Sequence, residues 1–152
     1  MRRKDKEIAD RKKINSIIGK ATVCRLALSE GGKPYIVPLS FGYDGSSLYF
    51  HGALKGKKMD ILRKNNNVCF ELESDLSVVE SDKACNWSIR YRSVIGFGKA
   101  HIVDGIDSRR RALDIIMKHY SKKSFEYPEE KSRKIAVIKV DIEEISGKMS
   151  GY

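Results

Sequence analysis

The chain has 152 residues, a length typical of one domain, and 41% of them are hydrophobic, which is enough for a sizeable core. Its formal net charge of +10 favours anionic partners such as nucleic acid, an acidic membrane surface or a phosphorylated small molecule. Glycine and proline are not enriched and no internal repeat is present, so the composition excludes a linker, a disordered tail and a repeat protein.

The cysteines and the hydropathy pattern predict the cellular location. Cys24, Cys69 and Cys85 form an odd set, and the basic N-terminus lacks the apolar core of a secretory signal, which together favour a reduced, cytoplasmic protein. No apolar run approaches the roughly 20 residues of a transmembrane helix. We expect no metal site, because the cysteines are far apart in the chain and neither C-x-x-C nor H-E-x-x-H occurs.

The first third of the chain predicts a helix followed by an antiparallel meander. Residues 4–19 carry an isoleucine stripe among charges, and Gly19 ends the stripe as it would end a helix. Segments 21–30, 34–43 and 48–52 have the composition of strands, and the turn sequences GGK and DGSS join them. We expect these three strands to pair in sequence order.

The rest of the chain predicts two helices and three further strands. The helices span 57–65 and 108–120, and Ser108 is the expected N-cap of the second one. The strands span 68–73, 87–104 and 134–148. Gly96 and Gly98 indicate a bend or bulge within the second of these strands.

These elements together predict a mainly β, α+β fold. About six strands in mostly hairpin order, with a few peripheral helices, are typical of an antiparallel β-barrel. A doubly wound α/β fold is not expected, because helices do not alternate with strands. The phosphate-loop pattern G-x-G-x-x-G is absent, and the segment GFGKA lies inside a strand pattern.

Lys57 and Lys58 open the predicted short helix, where the helix dipole already places a partial positive charge. Each lysine should therefore destabilise the empty helix, by about a few tenths of a kcal/mol. A phosphate at this helix end would accept bonds from backbone N–H groups and pair with both ammonium groups, and Gly56 would allow a close approach. The alternative is that both lysines extend into water.

Six short segments follow one another along most of the chain. They are VPLSF (37–41), LYFHGA (48–53), GKKMDIL (56–62), VCFELE (68–73), YRSVIGFGKAHIVD (91–104) and ISGKMSG (145–151). Their order and spacing resemble the flavin-binding split-barrel proteins related to pyridoxamine 5'-phosphate oxidase, above all the NimA-like branch named for nitroimidazole resistance. The resemblance covers residues 20–150. It implies a six-stranded antiparallel split β-barrel, after an N-terminal helix within 1–19, that forms a homodimer with FMN in two clefts at the interface.

The resemblance also implies which residues hold the cofactor. The basic pair that binds the FMN phosphate in this family falls on Lys57 and Lys58. The remaining expected contacts are Val37, Pro38, Leu39, Ser40, His51, Gly52, Tyr91 and Arg92, the last two being positions that the partner subunit often supplies in this family. The residues that hold substrate phosphate in pyridoxamine phosphate oxidases have no counterpart near Tyr35 or in ISGKMSG, so that particular activity is not expected.

The implied activity is that of an FMN-dependent oxidoreductase. NADH or NADPH would supply electrons, and a nitro compound, a quinone or oxygen would accept them. His51 is the candidate catalytic residue, because it is the titratable group expected at the cleft and nitro reduction consumes protons. The alternative is that His51 only contacts the cofactor or the backbone.

Three other functions remain open at this stage. The barrel could bind haem or a deazaflavin in place of FMN, or it could hold a flavin without rapid turnover. It could also be a basic nucleic-acid-binding barrel with stacking surfaces at Tyr35, Phe41, Tyr43, Tyr49 and Phe50. We expect no nucleic acid, because these aromatic residues alternate as core positions do and the basic residues concentrate on predicted helices.

Overall fold

The computed structural model describes residues 3–152 and contains one antiparallel sheet of eight strands. In chain order the strands are β1 (Glu7–Ile8), β2 (Cys24–Glu30), β3 (Lys33–Leu39), β4 (Phe41–Tyr43), β5 (Ser47–Ala53), β6 (Asn67–Val79), β7 (Ser88–Ile102) and β8 (Ile135–Ser150). The helices are α1 (Arg11–Lys20), α2 (Lys57–Lys64), α3 (Ile106–Tyr120) and α4 (Glu129–Ser132), with 3-10 turns at Lys4–Lys6 and Ala84–Asn86.

The two ends of the sheet meet at a single residue. Hydrogen-bonded neighbours run in the order β3–β2–β6–β7–β8–β5–β4, and β1 pairs with β8. The first and last strands of this path, β3 and β4, are separated in the chain only by Ser40. The sheet therefore curls round until its ends join, which confirms the predicted split β-barrel fold class.

The predicted meander is wrong at its middle strand, and the strand count is eight instead of six. The segment 34–43 does not pair with one neighbour on each side along its length: β3 pairs with β2, and after Ser40 the chain changes partner, so that β4 pairs with β5. This change of partner closes the barrel and divides one predicted strand into two. The short strand β1 supplies the eighth.

The predicted N-terminal helix begins later than expected. Residues 1 and 2 lie outside the described residues, and α1 starts at Arg11 because the Asp10 side chain accepts a hydrogen bond of 2.8 Å from the Lys12 N–H. Ile8, assigned to the helix from its spacing, instead pairs with Gly147 of β8 and is buried. The helix also continues past Gly19 and ends at Lys20.

Other predicted boundaries were mostly confirmed. Helix α2 spans nearly the predicted residues, and a register shift between Phe97 and Gly98 confirms the bulge in β7. The expected cap at Ser108 is wrong, since Gly105 precedes the first residue of α3 and no side chain caps that helix. No helix within residues 3–152 is long and apolar enough to span a bilayer.

Large apolar side chains fill the barrel. Those with no exposed surface include Phe41, Phe50, Phe70, Leu26, Leu48, Leu72 and Ile138. The burial of Phe41 and Phe50 removes two of the aromatic residues that a nucleic-acid-binding barrel would need on its surface.

A second, smaller core lies between the outside of the barrel and α3. It contains Ala112, Leu113 and Ile116 of the helix and Val137 of β8. Gly42 allows the helix to approach closely, because a Cβ at this residue would lie 2.6 Å from the backbone nitrogen of Ile116. The packing of α3 against β4 and β5 creates the cavity described below.

Candidate functional site

The start of α2 lies against the end of β5. A Cβ built on Gly52 would lie 2.6 Å from the Lys58 ammonium nitrogen, so the glycine leaves the space that this nitrogen occupies. Gly56 precedes the helix with φ of 112°, a conformation that favours glycine, and no side chain caps the helix. The first N–H groups of α2 are therefore left without a side-chain acceptor, next to two lysines.

Lys58 is half-buried and has no carboxylate partner among residues 3–152. Burial lowers the pKa of its ammonium group, because the charged form loses contact with water. Asp60 is the acidic residue in the first turn of α2, but its carboxylate is 3.2 Å from Arg63. This arrangement disfavours the folded protein unless an anion approaches.

Lys57 lies on the β3 side of the same helix end. Its ammonium nitrogen is 4.5 Å from the centre of the Tyr35 ring, a cation–π contact. The two residues line a cavity of about 200 Å³ between β3 and α2. Glu30 also lines this cavity, but its carboxylate is 2.5 Å from Lys64, so the acid is already engaged by another base.

The predicted β3 contacts alternate between the two faces of that strand. Val37 and Leu39 pack against the barrel core, whereas Pro38 and Ser40 are exposed on the outside. Strand β3 is hydrogen-bonded to β2 on one side, and its other edge carries no paired strand among the described residues. Unpaired backbone groups along such an edge are available to a ligand.

His51 faces away from Lys58. Along β5, Leu48 and Phe50 point into the barrel and Gly52 shares their side, so His51 points outward with Tyr49. It lines a cavity of about 370 Å³ beneath α3. The structure therefore places the candidate catalytic residue and the lysine pair on opposite faces of one strand.

Tyr91 and Arg92 lie in the N-terminal half of β7, whereas α2 lies near the C-terminal end of that strand. Arg92 pairs with Ser74, past the middle of β6, whereas Asn67, the first residue of β6 and close after α2, pairs with Lys99. The Arg92 guanidinium is 2.7 Å from Asp75 and stacks 3.9 Å above the Tyr152 ring. Within one chain these two predicted contacts are not brought to the lysine pair.

The structure thus joins one group of predicted residues and separates two others. Lys57, Lys58 and Gly52 meet Tyr35 of β3 at one corner, which we call the lysine corner, whereas the expected β3 contacts Val37, Pro38, Leu39 and Ser40 lie further along that strand. The sequence did not indicate two further residues of interest: Tyr35, which contacts Lys57, and Tyr127, which lines the same cavity as His51. In each case the two residues are distant in sequence, so no local pattern could have indicated their proximity.

The outer surface of the barrel carries an apolar row across four strands. Ile36, Ala27, Cys69 and Phe97 are successive register partners on β3, β2, β6 and β7. Ile36 is 59% exposed and Phe97 is 50% exposed, so this row leaves large apolar side chains open on the outer face of the sheet. We call these four residues the outer row.

Among residues 3–152, no three His, Cys, Asp or Glu side chains are grouped as a metal site would require. Cys24 is buried, Cys69 is partly exposed and Cys85 is exposed. Burial raises the pKa of the Cys24 thiol well above its usual range, so this cysteine behaves as an inert core residue.

A comparison with models of protein families shows which family the chain belongs to. The family model described as pyridoxamine 5'-phosphate oxidase matches residues 10–149. The chain belongs to this family. The resemblance predicted from the six segments is confirmed, although the match by itself assigns no substrate.

Several solved structures share the fold of this family member. A candidate 5-nitroimidazole antibiotic resistance protein of Bacteroides thetaiotaomicron VPI-5482 is 36% identical, with a TM-score of 0.85 over 94% of this chain and 86% of that one. A FAD and haem binding protein of Mycobacterium smegmatis has a TM-score of 0.86 at 20% identity, over 97% of this chain and 74% of that one. A flavocytochrome of Azotobacter vinelandii has a TM-score of 0.85 at 18% identity, over 100% of this chain and 72% of that one.

Among curated proteins, an uncharacterized protein of Rhizobium meliloti (strain 1021) is 28% identical over 65 residues. That alignment covers 43% of this chain and 42% of the relative, so the family member matches less than half of that protein's length.

The unpaired charge of Lys58 leads to a prediction about stability. Replacing Lys58 with Met in the flavin-free protein should raise the free energy of unfolding, by up to about 1 kcal/mol, because a half-buried charge without a partner is removed. The gain should be present at neutral pH and vanish as the pH rises towards 10.5, since the folded-state pKa of Lys58 lies below that value and the unfolded chain then loses its proton too. Denaturant unfolding at several pH values measures the change.

The exposed residue Lys55 provides the matched control. Lys55→Met removes a lysine from the same turn without removing a half-buried charge, and its free energy of unfolding should stay close to that of the parent protein. A Lys58→Met protein less stable than the parent at neutral pH would show that the ammonium group is already well paired.

Proposed function

We propose that the protein is an FMN-dependent oxidoreductase that reduces a small molecule, with 5-nitroimidazoles and related nitro compounds as the substrate class. The observation that carries the proposal is the lysine corner, where a half-buried ammonium group at the start of α2 has no carboxylate partner among the described residues. Similarity to the candidate nitroimidazole resistance protein supports the choice of substrate class.

A terminal phosphate fits the lysine corner on three counts. Lys57 and Lys58 supply two positive charges, the first turn of α2 supplies backbone N–H donors, and Gly52 and Gly56 keep the approach free of side chains. A phosphate dianion would also favour the charged form of Lys58 and so reverse the effect of burial on its pKa. A neutral ligand would gain from none of these features.

The strand β3 fits the remainder of a flavin mononucleotide. Its free edge presents backbone donors and acceptors, and Pro38 and Ser40 leave small, exposed side chains along it. We assign the ribityl chain and ring to this edge, along the proposed contacts Val37, Pro38, Leu39 and Ser40. When bound, the flavin would supply the electron transfer, with NADH or NADPH as the source of electrons.

His51 is the proposed proton donor of the reaction. Reduction of a nitro group consumes protons along with electrons, and an imidazole changes its protonation close to physiological pH. His51 opens into a cavity of about 370 Å³ on the outside of β5, which gives a small molecule access to the ring. His51 and Gly52 are consecutive residues near the end of β5 that face opposite sides of the strand, so the proposal requires a substrate that reaches both sides at this strand end.

We further propose that the protein is a homodimer joined through the outer row. Ile36 and Phe97 expose apolar side chains on the outer face of the sheet, and such side chains are typical of the centre of subunit interfaces. On the same face, Arg25 lies 2.6 Å from Glu73 and 3.2 Å from Glu71, so its charges are already paired. In such a dimer, Tyr91 and Arg92 of one subunit would complete the cofactor cleft of the other.

Haem is the second candidate cofactor, because two fold relatives are a flavocytochrome and a FAD and haem binding protein. The absorption spectrum of the purified protein distinguishes the two cofactors. A yellow protein with oxidised-flavin bands supports FMN as the cofactor. An intense Soret band with no flavin bands would show that the cofactor is haem instead.

The first prediction from this proposed function concerns FMN retention. The double variant Lys57→Ala/Lys58→Ala should bind FMN about 100-fold more weakly, because two charge-assisted hydrogen bonds of about 1.5 kcal/mol each are lost. Titration of the flavin-free protein with FMN, followed by flavin fluorescence, measures the dissociation constant. The control Lys122→Ala/Lys123→Ala removes two consecutive exposed lysines from the loop after α3. It should leave the FMN affinity unchanged at equal ionic strength. Equal FMN affinity for the two double variants would remove the phosphate assignment.

The second prediction concerns His51. His51→Ala should lower the turnover per bound FMN by about 100-fold with a 5-nitroimidazole and saturating NADH or NADPH, because a general acid is lost. Its FMN occupancy, read from the visible absorbance, should stay close to that of the parent protein. His101→Ala is the control, since His101 lies 3.2 Å from Asp141 and away from the cavity. If His51→Ala turns over as fast per bound FMN as the parent protein, His51 has only a structural role.

The third prediction concerns the dimer. Phe97→Lys should convert the protein to a monomer, because a charge is placed at the centre of the proposed interface, and the monomer should also lose FMN. Phe125→Lys is the matched control, since Phe125 is 40% exposed in the loop after α3 and lies outside the outer row. Sedimentation equilibrium gives the mass of each variant. If the Phe97→Lys protein is still a dimer, the outer row is not the dimer interface.

A further inference from the structure

A cavity of about 290 Å³ lies between helix α1 and the strands β1, β6, β7 and β8. Its volume is at the lower end of the range of small-molecule sites. The apolar part of its lining consists of Ile8, Ile17 and Met149, and the polar part of Lys13, Ser16, Lys20, Asp75 and Arg92. It shares no lining residue with the cavity at the lysine corner or with the cavity that His51 lines.

Three bases and one acid line this cavity, and the acid is already engaged. The Asp75 carboxylate lies 2.7 Å from the Arg92 guanidinium and 3.4 Å from the Lys20 ammonium group. The Ser74 hydroxyl also donates to this carboxylate, at 3.3 Å. The hydrogen bond from Arg92 is the main reason why the pKa of Asp75 lies below its usual value, so the carboxylate is ionised at neutral pH. A single negative charge is therefore shared between two bases.

Lys13 brings a further positive charge to the same cavity. Within residues 3–152, no carboxylate lies within ion-pair distance of its ammonium group. Lys13, Ser16 and Lys20 follow one another on one face of α1, at spacings of three and four residues, so their donors meet at this cavity. The helix itself contains no acidic residue. Three bases against one acid leave the lining with an excess of two positive charges.

We infer that this cavity binds the phosphate group of a small phosphorylated organic molecule. A phosphate dianion matches the excess of two positive charges. Its oxygens can accept hydrogen bonds from the ammonium groups of Lys13 and Lys20 and from the Ser16 hydroxyl. The apolar residues of the lining would contact the organic part of the ligand. A neutral ligand would leave the excess charge without a partner.

Two sources would supply such a phosphate. One is NADPH, which carries a phosphate on its adenosine ribose that NADH lacks. The other is a separate phosphorylated compound that binds beside the redox site. The first source rests on the proposed function, in which Arg92 completes the cofactor cleft of the other subunit and so joins this cavity to that cleft. The chemistry of binding at the cavity is the same for both sources.

Phenyl phosphate is the probe, and phenol and inorganic phosphate represent its two halves. The protein carries four methionines, so ¹³C-methyl labelling of the full chain gives few resonances. Met149 lines the cavity, whereas Met59 follows Lys58 in α2 and reports on the lysine corner. The two resonances therefore separate binding at the two anion sites within one titration.

We expect phenyl phosphate to shift the Met149 resonance in a saturable way at about pH 7.5, where a phosphate monoester is mostly a dianion. Phenol should not shift this resonance over the same range of concentrations, because it carries no charge. Inorganic phosphate should bind about fivefold more weakly than phenyl phosphate, because it makes no contact with the apolar part of the lining.

Two neighbouring lysines of α1 provide a variant and its matched control. Lys13→Gln should weaken the binding of phenyl phosphate about tenfold, because one charge-assisted hydrogen bond is lost. Lys12→Gln should leave the affinity unchanged, since Lys12 is exposed on the same helix but does not line the cavity. Both variants lower the net charge of the protein equally, so their difference measures the site itself. Neither change should disturb folding, because both side chains are exposed.

Three results would overturn the inference. The first is a Met149 resonance that does not respond to phenyl phosphate. The second is an equal response of that resonance to phenol, and the third is equal phenyl phosphate affinity of Lys12→Gln and Lys13→Gln. FMN binding monitored at Met59 is a separate measurement, so failure of the flavin proposal and failure of this inference are distinguishable.

A comparison of NADP⁺ with NAD⁺ identifies the source of the phosphate. If the source is NADPH, NADP⁺ should bind about tenfold more tightly than NAD⁺ at Met149. Lys13→Gln should then lower kcat/KM about tenfold with NADPH and leave it unchanged with NADH. Equal binding of NADP⁺ and NAD⁺, together with saturable binding of phenyl phosphate, would assign the cavity to a separate phosphorylated compound.

Discussion

The barrel depends on one change of hydrogen-bonding partner at Ser40. Before this residue the chain pairs with β2, and after it the chain pairs with β5. A single segment thereby belongs to both ends of the sheet, which forces the sheet to curl and close. Closure also leaves β3 with a free edge and sets it beside α2, so that Tyr35 of β3 contacts Lys57 of α2. The lysine corner is a consequence of how the barrel closes.

The electrostatics of that corner run against folding. Two lysines open a helix whose dipole already repels them, and one of them, Lys58, is half-buried with no acid within residues 3–152 to neutralise it. Nearby acids are engaged elsewhere, Asp60 by Arg63 and Glu30 by Lys64. Proteins tolerate such locally unfavourable charge mainly at functional sites, where a ligand restores the balance. An anionic cofactor is the ligand that this arrangement favours.

The alternation of side chains along β5 places His51 and the lysine corner on opposite faces of the strand. Gly52 faces the barrel side and leaves space for the Lys58 ammonium group, whereas His51, one residue earlier, faces α3. The anion proposed at the lysine corner and the small molecule proposed at His51 would thus approach opposite faces of one strand. The close approach of α3, permitted by Gly42, forms one wall of the cavity that His51 lines.

Local sequence patterns determined much of this protein: the barrel class, the limits of α2, the bulge near Gly98 and the clustering of positive charge at Lys57 and Lys58. Each of these follows from residues within a few positions of one another, where turn chemistry, alternation and capping act. Tertiary structure alone decided the change of partner at Ser40, the pairing of Ile8 with β8, the direction of His51 and the contacts of Tyr35 and Tyr127. Those features depend on which distant segments meet once the sheet closes, and no short-range preference encodes that meeting.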